Sequence, residues 1–470
     1  MDFIKSVILS LVFTTLSFGQ QLSSFTEELF NEYSKYEVEG FSSMKVQPDF
    51  LQIQIDLITS KAPELFEVQL LGHSVEDRPI RMVSVGNGNT DVLMWSQMHG
   101  NESTATRSIV DLLSFIAENR NHKSVKSLLQ DLRIHFIPML NPDGASRWTR
   151  ENAIGIDLNR DALRLVAPES QILKGVRDSL NADYGFNLHD QSKYYNVERL
   201  SNEASISFLA TAFDYEKSRS AGRDEAMQLI SYLYQINQQY IPNHTGRYND
   251  DFEPRAFGDN IQKWGTKLIL IETGGFKNDP EKQLGRKLNF VLIGSALEAI
   301  QKGLHKAISV EQYNQIPRND RNLFDLKIEK VQKKVNGSYY TVDLGYYLEE
   351  SGYDSNLGKV VYHVTLEDQG DLSTYTGYNS FNAEGLKILY PKVYKGKIKD
   401  SAHEKSLLKE GILYYTKAPS RRYLPQTMLQ YNDGVEQELS LENTYFLINE
   451  FNEPKHLFLK GQLIELQQFN

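Results

Sequence analysis

Between residues 65 and 303 short apolar runs alternate with amphipathic stretches, and this alternation limits the fold more than any single residue does. Leu65–Leu71 and Ile80–Val85 read as the two arms of a hairpin around the turn-rich Gly72-His73-Ser74-Val75-Glu76-Asp77-Arg78-Pro79. Asp91–Ser96, Leu132–Leu140 and Tyr184–Leu188 read as further strands. Thr266–Ile271 is largely apolar, as expected of a strand buried on both faces. Helical periods lie between them. Ile109, Leu112, Leu113 and Ile116 share one face of a helix expected to begin directly after Met98-His99-Gly100. Residues 25–62, 168–180, 219–240 and 281–303 also read as helical. Strands alternating with helices predict an α/β fold, with a mixed, largely parallel central sheet flanked by helices. After about residue 310 helical periods become scarce. Lys330–Leu344, Lys359–Leu366 and Gly385–Val393 are strand-like, which predicts a β-rich accessory domain over residues 315–470, a small sandwich or barrel. The α/β unit is expected over residues 20–310.

Composition narrows the chemistry. The net charge of -10, from 51 basic and 61 acidic residues, argues against nucleic acid as a partner. With no cysteine, disulfides, thiolate metal sites and a cysteine nucleophile are excluded, so a transition metal must be held by histidine and carboxylate. At the N-terminus Lys5, the apolar run from Val7 through Phe13 and the small residues Ser17 and Gly19 read as a signal peptide over residues 1–19, implying a secreted or periplasmic protein. No later segment reads as a membrane span.

Three chemistry-bearing residues, His99, His189 and Glu272, each fall just past the end of an expected strand, where α/β sheets place their ligand sites. A catalytic zinc takes three protein ligands and leaves one position open. His-x-x-Glu occurs twice. His73 to Glu76 lies in the charged hairpin turn and reads as accidental. His99 to Glu102 lies where the chain leaves a strand for a helix, and Gly100 allows a tight backbone there. His189, in Phe186-Asn187-Leu188-His189-Asp190-Gln191, is the third candidate ligand, with Asp190 beside it. Glu272 ends the apolar strand and precedes Thr273-Gly274-Gly275, a position where burial favours a raised pKa. Arg150 and the Asp157-Leu158-Asn159-Arg160 segment supply cations and an amide suited to anion recognition.

Together these residues resemble the zinc carboxypeptidase family, the carboxypeptidase A-like metallopeptidases. The resemblance rests on His99-Gly100-Asn101-Glu102, Asn141-Pro142-Asp143-Gly144, Gly155-Ile156-Asp157-Leu158-Asn159-Arg160, Leu188-His189 and Ile271-Glu272-Thr273, in that order over roughly residues 60–305. It implies that His99, Glu102 and His189 ligate one Zn2+ per chain, and that Glu272 is general base and later general acid. It also implies that Arg150, rather than the nearby Arg147, polarises the scissile carbonyl, and that Asn159 and Arg160 bind the free C-terminal carboxylate of a peptide substrate. Tyr248 is the candidate for the tyrosine that closes over that carboxylate, and Asp251, Arg255 or Asp259 for the residue that sets side-chain preference. The implied activity is that of a metallocarboxypeptidase. A peptidoglycan stem-peptide amidase or deacylase on the same scaffold is the nearest alternative, and an inactive peptide-binding protein is the alternative from another class.

Overall fold

The computed structural model describes residues 22–354, 359–396, 398–418, 421–423, 435–436 and 443–469. The segment read as a signal peptide lies outside the described residues. In chain order the first strands are β1 (Phe66–His73), β2 (Pro79–Val85), β3 (Thr90–Trp95), β4 (Leu132–Ile137), β5 (Tyr184–Asp190), β6 (Asn196–Val197), β7 (Ile206–Leu209), β8 (Thr245–Arg247) and β9 (Lys267–Thr273). The helices over this span and just beyond it are α1 (Ser24–Glu32), α2 (Pro48–Ser60), α3 (Thr104–Glu118), α4 (Lys123–Asp131), α5 (Pro142–Arg147), α6 (Pro168–Leu180), α7 (Ala221–Tyr240), α8 (Phe257–Lys263) and α9 (Gln283–Lys302).

Eight of these strands form one mixed sheet in the order β1-β2-β4-β3-β5-β9-β7-β8. Its centre, β4-β3-β5-β9, is parallel. The β1/β2 hairpin, β2/β4 and β7/β9 are antiparallel. Alternation along the strands divides the core in two. Phe186 and Leu188 of β5 and Ile269 and Ile271 of β9 enter one cluster with the buried faces of α3, α7 and α9. Leu268 enters the opposite cluster with Trp95, with Leu173 and Val176 of α6 and with Phe257 and Ile261 of α8. Because side chains alternate with a period of two, His189 and Glu272 belong to this second face.

Several boundaries differ from those the sequence predicts. His189 and Glu272 lie inside their strands, one residue from each end, because parallel pairing continues in register as far as Asp190↔Thr273. The helix after β3 begins at Thr104 rather than at Gly100, so Glu102 sits in the preceding turn. Asn141-Pro142-Asp143-Gly144 does not merely stop a strand: Asn141 caps α5, accepting from Gly144 N–H at 2.9 Å with proline at the first helical position. The expected helix over residues 25–62 is broken between α1 and α2, where Pro48 starts the second helix.

The C-terminal region is β-rich, as expected. Its first strand, β10 (Asn319–Asp320), pairs with β6. It is followed by β11 (Leu323–Val335), β12 (Ser338–Asp354) and β13 (Lys359–Gly370), which pair antiparallel in sequence within a nine-stranded sheet. The single strand expected over Lys330–Leu344 is instead a hairpin. Asn336 and Gly337 take positive φ (48° and 88°) between the paired Val335 and Ser338, the tight-turn geometry that Asn-Gly favours. Gly385–Val393 likewise divides into two short strands, Lys387–Leu389 and Lys392–Tyr394. Among the described residues no helix is long and apolar enough to cross a membrane.

Candidate metal centre and substrate site

The loop between β3 and α3 is held by hydrogen bonds from the motifs around it. Gln97, at φ 46°, donates its side-chain amide to the Gly100 carbonyl at 2.8 Å. Asn141 donates to the carbonyls of Met98 and Arg150, at 3.2 and 3.3 Å, so the residue that caps α5 also ties the ligand loop to the arginine segment. Gly100 is required by close approach of backbone. A Cβ there would lie 2.0 Å from the Gly144 carbonyl carbon and 2.3 Å from Ala145 N, atoms that cannot move without displacing the α5 cap. Gly100→Ala is therefore expected to destabilise the fold by at least about 3 kcal/mol. A thermal melt within 2 °C or so of wild type would contradict this.

His99, Glu102 and His189 are all buried, and one donor atom from each lies within 4.8 Å of the others. Glu102 stands between the imidazoles. Its Oε1 is 2.8 Å from His99 Nδ1 and its Oε2 is 2.8 Å from His189 Nδ1, while the two Nδ1 atoms are 3.2 Å apart. The Asp190 backbone N–H donates to Glu102 Oε2 at 3.1 Å, and the Asp190 carboxylate accepts from Thr104 Oγ1 at 2.8 Å. His99 Nε2 lies 3.0 Å from Asp157 Oδ1, which leaves Nδ1 facing the cluster. Burial opposes protonation of His99, but the charge of Glu102 and the hydrogen bond to Asp157 outweigh it and lift its pKa to about 9. Burial raises the Glu102 pKa, and the neighbouring imidazoles more than reverse this and hold it well below the usual carboxylate range. Two imidazole nitrogens and a carboxylate converging on one buried point, with the far side of one imidazole fixed on a carboxylate, form a donor set that fits zinc.

Arg150 contacts this cluster directly, and the other expected residues lie in the settings that follow. Glu272 is nearly buried and stands opposite His189 in the β5/β9 register. Burial first, and then the negative charge of Glu102, push its pKa well above the usual carboxylate value. The Nη1 of Arg150 lies 3.1 Å from His99 Nδ1 and 3.2 Å from Glu102 Oε1, and its Nε and Nη2 bind Asp157 Oδ2 at 3.1 and 3.0 Å. Arg147 turns away and pairs with Glu76 in the hairpin turn. Asn159 accepts the Phe257 N–H at 2.9 Å, which fixes the start of α8 and leaves the amide nitrogen as its donor end. Arg160 is partly exposed and lies 3.4 Å from Glu253. Tyr248 follows β8, bonds through its backbone N–H to Phe208 at 2.9 Å and stacks edge-on against Tyr195 at 5.7 Å. Burial, then the charge of Glu272, raise the pKa of its phenol.

The three candidates for side-chain preference occupy different settings. Asp251 is exposed and paired with Lys217, and Arg255 is paired with Glu253. Asp259 is buried, accepts the Glu253 N–H at 3.0 Å, and has its pKa pushed up to about 7 by burial. Glu253, which meets both Arg160 and Arg255, was not singled out by the sequence. Tyr195 and the His99 contact of Asp157 were also missed, because only the folded chain brings these residues together.

Residues 52–171 match the zinc carboxypeptidase family, which bears out over that segment the resemblance read from the motifs. The match spans His99, Glu102, Arg150, Asn159 and Arg160, and ends before His189, Tyr248 and Glu272. The carboxypeptidase N catalytic chain of Homo sapiens is 32% identical over 126 residues, covering 22% of this chain and 27% of that one. Carboxypeptidase D of Drosophila melanogaster is 28% identical over 333 residues, covering 65% of this chain and 22% of that one. The chain thus spans about a quarter of the length of these relatives. Among solved structures, a metallo-carboxypeptidase from Burkholderia cenocepacia is 16% identical with a TM-score of 0.44, covering 54% of this chain and 69% of that one.

Proposed function

We propose that this protein is a secreted or periplasmic zinc metallocarboxypeptidase that removes single residues from peptides bearing a free C-terminal carboxylate. The observation that carries the reading is the convergence of His99, Glu102 and His189, with Arg150 beside them and Glu272 in register with His189. His99, Glu102 and His189 would hold one zinc ion per chain. When bound there, zinc supplies Lewis acidity toward a carbonyl oxygen and toward water. Glu272 takes a proton from the attacking water and returns it to the leaving amine nitrogen, a role suited to a buried carboxyl with a raised pKa. Arg150 directs its guanidinium toward the oxygen on which negative charge develops. Asn159 and Arg160 offer N–H donors to the terminal carboxylate, and Tyr248 covers it. The pattern at Lys5 and Val7 through Phe13 is the basis for export.

The test is metal content together with release of single C-terminal amino acids from a mixed library of N-blocked peptides, in wild type and in His189→Ala. One zinc per chain with release, both lost in the variant, is the expected result. Zinc without release from any peptide, combined with cleavage of a muropeptide or an acylated amino acid, would replace this reading with the amidase or deacylase alternative. Peptide binding without turnover of any of these would replace it with the inactive binding protein.

A further inference from the structure

Behind the metal centre a lysine side chain bridges the ends of the two strands that carry His189 and Glu272. Lys282 is 9% exposed and stands at the N-cap of α9 with φ 50°, a left-handed conformation uncommon for lysine. Its Nζ donates to the Thr273 carbonyl at 2.8 Å and to the Gln191 carbonyl at 3.3 Å, and lies 3.7 Å from Asp190 Oδ2. Thr273 follows Glu272 directly, and Asp190 and Gln191 follow His189. The β5/β9 ladder has run out here, its last bond being Gln191 N–H to the Thr273 carbonyl at 3.0 Å. The Thr273 carbonyl therefore takes the ammonium as a second donor beside Gln191 N–H, and the Gln191 carbonyl, beyond that last bond, takes it as a donor from another element. Asp190, which Lys282 faces, passes its own backbone N–H to Glu102 Oε2, so the ammonium is one residue removed from each of His189, Glu102 and Glu272 without touching any of them.

Resting on the site assignment above, we infer that Lys282 is a positioning residue. Its ammonium fixes the spacing between the ligand His189 and the base Glu272, and places a cation behind the buried carboxylates Glu102, Asp190 and Glu272. Two ordinary demands of the fold do not require a lysine here. An N-cap is better served by a short polar side chain, and the left-handed backbone by glycine or asparagine. What lysine adds is reach, three N–H donors and a charge.

The test compares Lys282→Met, Lys282→Asn and Lys282→Arg in the full chain. Asparagine tolerates the left-handed backbone, so Lys282→Asn separates loss of the ammonium from backbone strain. Methionine and asparagine are expected to lower kcat about 10- to 100-fold with KM within about threefold, because pairing of ligand and base is disturbed while the carboxylate-binding residues are not. Both variants should also lose zinc to a chelator at least about tenfold faster than wild type, and arginine should restore most of each property. Zinc loss is read without substrate, so it tests the inference even where the wild type releases no C-terminal residue and the functional reading fails. Lys282→Asn with kcat and zinc retention within twofold of wild type would overturn the inference. So would equal loss in kcat and KM, or failure of both Lys282→Met and Lys282→Asn to fold, since each would make Lys282 a general structural residue.

Discussion

Glu272→Gln is expected to bind zinc as the wild type does and to lose about 10³- to 10⁴-fold in kcat. Glutamine matches glutamate in size, so the β9 end and its register with β5 stay in place. His99, Glu102 and His189 are untouched, and the amide brings no charge of its own to the site. The amide, however, has no basic site at neutral pH and cannot shuttle a proton from water to the leaving amine. An interaction needed only in the transition state lowers kcat and kcat/KM together and leaves KM near its original value. Metal analysis and steady-state kinetics on one blocked dipeptide decide the matter. Activity within tenfold of wild type at full zinc occupancy would remove Glu272 from the role of base. Loss of zinc along with activity would make it a structural neighbour of the metal instead.

How much of this site could be read from the sequence depends on the distance over which its geometry is made. The candidate ligands, the candidate base and the arginines stand out because each lies in a short motif at a strand end or turn, and strand ends are marked locally by a change from apolar to polar residues. The boundaries were harder. β5 and β9 continue through His189 and Glu272 because each supplies the other's hydrogen-bonding partner, and the pairing of residues 83 positions apart leaves no local trace. The hairpin turn between β11 and β12 reads as the middle of one strand although Asn336-Gly337 is a strong turn signal, because the flanking β-branched and aromatic residues continue on both sides of it. Lys282 was invisible for a different reason. In the sequence it is one charged residue among several before a helix, and it gains a role only because α9 begins where two parallel strands end. The choice of Arg150 over Arg147 follows the same logic. Three residues apart in the chain, they end on different partners, one on Glu102 and the other on Glu76 in the hairpin turn.

Converting the substrate's C-terminal carboxylate to an amide is expected to lower kcat/KM by about 10³-fold or more, and Arg160→Ala is expected to remove most of that discrimination. A carboxylate accepts from two donors at once, whereas an amide presents one acceptor and an NH2 group that would oppose the N–H donors of Asn159 and Arg160. The Asn159 amide cannot adapt by turning over, because its oxygen is held by the Phe257 N–H at 2.9 Å. Arg160 is the partly exposed partner, 3.4 Å from Glu253 and bonded to the Asn159 carbonyl at 2.8 Å, so it can exchange the Glu253 carboxylate for the substrate's without leaving a buried charge behind. The two changes therefore form a cycle: acid and amide substrates against wild type and Arg160→Ala. Coupling of about 3 kcal/mol or more in kcat/KM, leaving the variant little preference for acid over amide, would tie Arg160 to the terminal carboxylate. Equal cleavage of acid and amide by the wild type would deny exopeptidase chemistry altogether. The remaining strand-end machinery of His99, Glu102, His189 and Glu272 would then serve hydrolysis at internal or non-peptide amides, for which a free carboxylate is not needed.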